Sequence, residues 1–282
     1  MARLTETEIA ELLGRVIPAD DDVVVVFSGV WTFAHRLTFP PAETGDQLLD
    51  VLQDVVGPDR TLVLPAYTFL DFARTRTFDL KRSVPEGGLL TECAVGRPGW
   101  QRLAKPMNSY CVVGPRAGEM TALPSTTAWG RDGVLSWLNK VKARTLVLGV
   151  PWESCSIMHH AEETLAVPFR YYKRFQGRLK EDGKDRGSCE EVMYVRSLEV
   201  PPEWDISPLG RVLNDRKLVL DGGLAAVPLQ SAPADVVHAV NEELMGDDPY
   251  IYHTNRDAVI DWVAGGGAER EMATLKPEER WP

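Results

Sequence analysis

GVPWESCSIMHHAEETLAVPFR, residues 149–170, decides how the rest of the chain is read. The apolar run just ahead of it, Thr145-Leu146-Val147-Leu148-Gly149-Val150, predicts a short buried strand. Ser156 is placed to cap a helix over residues 157–165, which Pro168 helps to end. On that helix His159 and Glu162 are three apart and share a face. A carboxylate beside an imidazole fixes its tautomer and supports the imidazolium, which makes the histidine a better general base. A strand end opening into a helix is also where α/β folds place their chemistry. The residues alone equally allow a plain surface helix with two solvated histidines and two solvated acids.

Ser156-x-x-His159-x-Ala161-Glu162, then Val167-Pro168-Phe169-Arg170, resembles the T-x-x-H-x-A-E…V-P-[YF]-R signature of the aminoglycoside 3-N-acetyltransferase family. The resemblance implies an α/β fold, one domain with a central mixed sheet flanked by helices, distinct from the common GNAT acetyltransferases. It implies acetyl-CoA or another acyl-CoA as co-substrate, an amine as acceptor, and His159 with Glu162 as the base pair.

Further blocks extend the resemblance in order. Phe78-Asp79, Gly87 to Glu92, and Arg97-Pro98-Gly99-Trp100-Gln101-Arg102 resemble the family's F-D…G-x-[LI]-x-E-x-x-R-x-x-P-G-x-x-R run. Lys105-Pro106-Met107-Asn108-Ser109-Tyr110 resembles its H-P-x-x-S-[FV], with Lys105 in place of His. Residues 23–27 read as a buried β-branched strand, and Ser28-Gly29 follows where the family has H-S-S or H-T-S and holds CoA, with Phe27 in the His position. These matches imply Ser28, Gly29, Arg102 and Ser109 as cofactor-binding residues. The strand over 60–64 ends in Pro65-Ala66-Tyr67-Thr68, resembling M-P-[TA]-x-[ST] at the acceptor cleft. Tyr67, Thr68 and Glu92 are expected there, with Trp129 and Asp132 from a loop in which Asp132-Gly133 replaces the family's Ser-Pro. Arg97 and Arg102 also admit a plainer role, pairing with Glu92 on the surface.

Elsewhere the pattern predicts a capping box at Thr5-x-x-Glu8 opening a helix to about Pro18, and a helix over 44–56. Ser28-Gly29 is read as opening a new helix. A strand over 109–113 and a helix carrying Leu135, Leu138 and Val141 come next. Residues 171–175 read as an extended aromatic and basic edge, with a hairpin tip over 180–187. A helix over 206–213 capped by Asp205, two strands over 217–223 and 225–229, and a helix over 234–245 follow. The polar tail from about 266 is expected to be surface-bound or loose. One domain, 1–282, is expected.

With 282 residues, 44% hydrophobic and 26% charged, the composition is that of a globular protein. Net charge of −10 disfavours a nucleic-acid partner, which needs a basic footprint. No apolar run reaches membrane-spanning length, and the start MARLTETEIAELL reads as no signal peptide. Cys93, Cys111, Cys155 and Cys189 are scattered, which points to reduced thiols and a cytoplasmic location. No metal is expected: His159 and His160 are adjacent, so they point about 100° apart on a helix, and H-E-x-x-H spacing is absent. Cys155, near the helix start, offers an alternative acyl-cysteine mechanism. His35, His238 and His253 are isolated, and Trp129 and Trp152 are candidate cleft walls.

The expected reaction is N-acylation of a small polar acceptor such as an amino sugar. Two rivals remain open at this stage. One is a biosynthetic acyltransferase that uses an acyl carrier protein as donor or a hydroxyl as acceptor. The other is a binding protein without turnover. A homodimer is also left open.

Overall fold

The computed structural model describes residues 3–224 and 226–281. Its centre is a seven-stranded mixed sheet with helices on both faces. Helix α1 (Glu6–Val16) starts with the Thr5/Glu8 capping box as expected and buries Ile9, Leu13 and Val16. Strand β1 (Val23–Ser28) follows. Val23, Val25 and Phe27 enter the core on one side of the sheet, while Val24 and Val26 enter the other. Strands covered on both faces lose the polar alternation of half-exposed ones, which is why this run is apolar throughout. Each such side chain contributes roughly 1.5–3 kcal/mol by leaving water.

Helix α2 (Thr44–Val56) crosses back to β2 (Thr61–Pro65), which lies parallel to β1. Helix α3 (Phe69–Thr75), strand β3 (Thr77–Asp79), helix α4 (Leu89–Ala94) and strand β4 (Gln101–Arg102) follow. Strand β5 (Tyr110–Val113) runs antiparallel to β2. Helices α5 (Ala117–Thr121) and α6 (Val134–Lys140) lead to β6 (Arg144–Leu148), parallel to β1 on its other side. Chain direction therefore departs from β1 to both sides, and the open ends of β1, β2 and β6 form the crevice where such sheets bind ligands.

Helix α7 (Ile157–Thr164) comes next, then the long hairpin β7 (Arg170–Glu181) and β8 (Lys184–Arg196). Its tip is the two-residue turn Asp182-Gly183, both at positive φ, shorter than the expected 180–187 tip because the strands pair up to Glu181 and Lys184. With β3 this hairpin makes a second, three-stranded sheet. Helix α8 (Ser207–Asp215), strands β9 (Leu220–Asp221) and β10 (Leu229–Pro233), and helices α9 (Ala234–Asp247), α10 (Arg256–Ala264) and α11 (Gly267–Thr274) complete the chain. The sheet order is β4-β5-β2-β1-β6-β10-β9.

Four local expectations are corrected. After Ser28-Gly29 there is no α-helix but two 3₁₀ turns, Val30–Thr32 and Ala34–Arg36, since β-branched and aromatic residues there favour neither a long helix nor a cap. The last strand begins at Leu229, not 225; Ala225 lies outside the described residues, and Gly222 N–H instead reaches Leu229 O across the turn. Asp205 accepts from the Ser207 N–H, yet the residue in the cap position of α8 is Ile206. The tail is not loose. In α11, Glu271 is buried and accepts hydrogen bonds from Ser197 Oγ, Tyr171 Oη, and the Leu198 and Glu199 N–H groups. Burial pushes its pKa up, but these four partners outweigh it and hold the carboxyl below the usual range.

Candidate active site

The loop from β6 to α7 is turned sharply by Gly149, at φ +76°. A Cβ there would lie 2.6 Å from Gly29 O and 2.8 Å from a Phe33 ring carbon, so no side chain fits. The β1 and β6 ends are thereby held together, and Gly29 N–H donates to Leu148 O at 2.8 Å. Ser156 does occupy the N-cap position of α7, but its hydroxyl makes no cap bond; it meets the Tyr67 hydroxyl instead. Tyr67 Oη also lies 3.0 Å from Tyr110 Oη. Burial raises both phenols well above their ordinary range, so this chain of three hydroxyls is neutral.

His159 Nδ1 lies 2.6 Å from Glu162 Oε2. Arg170, the first residue of β7, places Nη2 2.8 Å from the same carboxylate oxygen and donates from Nη1 to Tyr194 O at 2.9 Å. Arg170 Nη2 also comes within 3.2 Å of His159 Nδ1, but both are best placed to donate, and Glu162 accepts from each. The tautomer with Nδ1–H toward Glu162 leaves Nε2 as the free base. Glu162 is fully buried, which alone would raise its pKa; Arg170 and His159 outweigh this and hold it below the ordinary carboxylate range. The His159 side chain keeps 27% of its surface exposed while Glu162 keeps 1%, so the base is reachable and its support is dry. The His159 ring packs on Trp129 at 4.5 Å, and the Arg170 guanidinium lies 5.5 Å from Trp129 and 5.6 Å from Trp204.

The neighbouring candidates resolve differently. His160 turns inward, its Nδ1 bonded to Trp129 O, stacked on His238 at 4.6 Å, with burial lowering its pKa. It holds the Trp129 loop and faces no cleft. Cys155 is 2% exposed and burial pushes its thiol up to about 12, so the thiolate an acyl-cysteine route needs is scarce at neutral pH. Glu163 bonds Thr127 and Tyr172, and burial raises its pKa.

Two clefts flank this cluster. One, of about 520 Å³, sits over the β1 end and is lined by Ser28, Gly29, Trp31, Tyr67, Gly88 and Val150 among others. The other, of about 300 Å³, opens on His159, Arg170 and Trp129. The rings of Tyr67 and Phe69, 4.9 Å apart, separate them.

Of the residues expected from sequence, Ser28, Gly29 and Tyr67 come together in the first cleft, and His159 and Trp129 in the second. Others are elsewhere. Arg102 donates to Ser83 O at 2.6 Å and Ala66 O at 2.9 Å and stacks on Phe78; burial lowers its pKa to about 10. Its guanidinium is used by the fold. Ser109 is fully buried, donating to Leu103 O. Thr68 is fully buried, its hydroxyl donating to Pro106 O. Glu92 is exposed on α4 and lines neither cleft, and Arg97 pairs with Asp46 and Asp50 instead. Asp132 accepts from Thr126 N–H at 3.0 Å and shapes its own loop, while Lys105 ties that loop through Ser125 O. Trp152 is buried, donating to Gln230 at 2.9 Å, and walls neither of these two clefts.

The sequence model of the family described as aminoglycoside 3-N-acetyltransferase matches residues 38–245, which holds most of both clefts and all of α7. The chain belongs to the aminoglycoside 3-N-acetyltransferase family. Aminoglycoside N(3)-acetyltransferase VII of Streptomyces paromomycinus is 26% identical over 200 residues, 64% of this chain and 68% of that protein. In structure, the apoenzyme of aminoglycoside acetyltransferase AAC(3)-IVa superposes with a TM-score of 0.71 at 19% identity, over 93% of this chain and 98% of that one. AAC-IIIb, solved as a binary complex with CoASH, gives 0.71 at 21% identity, over 90% and 99%. The family's V-P-[YF]-R ending had a reason that sequence reading left unassigned: its arginine, Arg170, is the counter-charge of Glu162. The signal was available, since an arginine fixed eight residues after a catalytic-type carboxylate is a ready partner for it. No comparable signal marked Met193, Trp204 or Arg196, which reach the second cleft from β8 and the loop after it.

Proposed function

We propose that the protein is an acyl-CoA-dependent N-acyltransferase acting on the amine of a small molecule, with His159 as general base. The observation that carries this reading is the His159–Glu162 contact of 2.6 Å, in a family motif, with the base half-open to a cleft and the acid dry. His159 Nε2 takes the proton as the amine nitrogen bonds to the thioester carbonyl carbon. The C–S bond then breaks, the proton passes to the departing thiolate, and the products are an amide and a free thiol. Glu162 holds the tautomer and supports the transient imidazolium. Holding amine and thioester together supplies a large part of the rate.

The cleft over β1 suits the donor's pantetheine arm. Gly29, Gly87 and Gly88 line it without side chains, and a Cβ on Gly29 would collide with Val150 at 2.5 Å. Gly29 N–H is already given to Leu148 O, so that amide is not an oxyanion donor. The first N–H groups of the 3₁₀ turn, at Val30 and Trp31, have no acceptor within it and are the better candidates. We take both clefts as parts of one acyltransferase domain.

Mixing the protein with acetyl-CoA and an amine panel and following thiol release tests this directly. Saturating CoA should also stabilise the fold by roughly 1–3 kcal/mol. Neither thiol release nor a shift with any CoA ester would defeat the free-CoA reading. One observation favours a carrier-protein donor as a second reading: among the described residues no Lys or Arg lines the donor cleft, where CoA phosphates would want one. Transfer from an acylated carrier, with none from acetyl-CoA, would select it.

A further inference from the structure

The cleft in front of His159 differs sharply from the protein's acidic surface. Its walls are Phe69, Met107, Trp129, Phe175, Met193 and Trp204. Among the described residues no Asp or Glu lines it. Glu162, behind His159, is spoken for by Arg170. The remaining charge is Arg196, at the end of β8, exposed and with no ion-pair or side-chain hydrogen-bond partner among the described residues.

Such a site disfavours a polycation. Every ammonium brought here loses hydration and finds no carboxylate in return. The unpaired guanidinium of Arg196 adds repulsion, which is discrimination by an unfavourable contact. Flat or branched apolar bodies gain by burial and by stacking on the indoles. The planar fork of arginine matches a carboxylate or phosphate through paired hydrogen bonds. At about 300 Å³ the cleft is at the small end of ligand pockets, which suits a single ring better than several.

We propose that the acceptor is a primary amine on a compact apolar body that also carries a carboxylate or phosphate, and that Arg196 binds that anion. This rests on the acyltransferase reading of His159. It departs from the expected polar amino sugar, since the second cleft is walled mainly by aromatic rings and methionines.

Four acceptors test it with acetyl-CoA: 4-(2-aminoethyl)benzoate, O-phosphotyramine, phenethylamine and gentamicin. The first two carry their anion at the same end of the ring, one a carboxylate and the other a phosphate, and phenethylamine has none. The anionic amines should exceed phenethylamine in kcat/KM by about tenfold or more, the value of one charge-assisted pair, with gentamicin last. The ratio of the two anionic amines tells carboxylate from phosphate. Arg196→Ala should raise KM for the anionic amines about tenfold more than for phenethylamine, and Arg196→Lys should recover part of it. Gentamicin as the best acceptor, or an Arg196→Ala protein with the wild-type order, would overturn the proposal. Calorimetric binding of the same four to the CoA-loaded protein reads the cleft without turnover. Anionic amines that bind through Arg196 yet are never acylated would leave this inference standing and sink the acyltransferase reading. Gentamicin acylated while the anionic amines neither bind nor react would do the reverse.

Discussion

Replacing Arg170 with Met keeps much of its volume and removes the one permanent cation paired with Glu162 among the described residues. The pair is 2.8 Å apart, with side chains 4% and 1% exposed, so neither has water to fall back on. Glu162 Oε1 already lacks a hydrogen-bond partner among the described residues, and loss of Arg170 would leave Oε2 with His159 alone. The Tyr194 carbonyl would lose its Arg170 donor too. Breaking a buried pair on one side costs about 3–5 kcal/mol, because a buried charge is left uncompensated. Arg170→Met should therefore lower stability by that order in urea unfolding followed by circular dichroism. The double variant Arg170→Met/Glu162→Gln removes the stranded charge, and should be more stable than Arg170→Met alone by roughly 1–3 kcal/mol. A cost below about 1 kcal/mol for Arg170→Met, or strict additivity in the cycle, would refute the claim that this pair is buried and coupled.

Three further outcomes follow from other groups. Cys155→Ser should retain activity, and iodoacetamide at pH 8 should label Cys155 slowly in the native protein, since its thiol sits at about 12; rapid labelling or a dead variant would restore the cysteine mechanism. Glu191, fully buried and accepting from the Met107 and Asn108 N–H groups, has its pKa pushed up to about 7 by burial. Its unfolded value is near 4.5, so the folded state holds the extra proton and stability falls as pH rises from about 4.5 through 7; Glu191→Gln should flatten that fall by up to about 3 kcal/mol in pH-dependent unfolding, and an unchanged slope would count against it. Glu271→Ala removes the acceptor of four hydrogen bonds and should cost about 2–4 kcal/mol, whereas a loose tail would make it neutral.

The sheet was legible because its strands are covered on both faces, which writes unbroken apolar runs at 23–27, 62–64 and 146–148. The 171–195 hairpin was read as an extended edge, but its role as a second sheet was not, since its pairing with β3 is a contact about 100 residues apart. The terminal helix was missed because its burial depends on one glutamate satisfied by backbone from β8's exit. At the site, the i, i+3 spacing placed His159 beside Glu162 directly. Arg102, Ser109 and Thr68 line neither of the two clefts, and each hydrogen-bonds a loop carbonyl; a polar residue that serves the fold looks the same in sequence as one that serves a ligand. Asp132 likewise serves its own loop, and Glu92 faces solvent.

The central claim is that His159 is the base, and kcat for thiol release by His159→Ala measures it most directly. The account predicts a fall of roughly 100- to 10,000-fold with donor affinity little changed, and a smaller loss for Glu162→Gln that does not add to the first. His160→Ala, which loses the bond to Trp129 O, should lower stability more than kcat. A His159→Ala protein that turns over at the wild-type rate while His160→Ala is inactive would contradict the account.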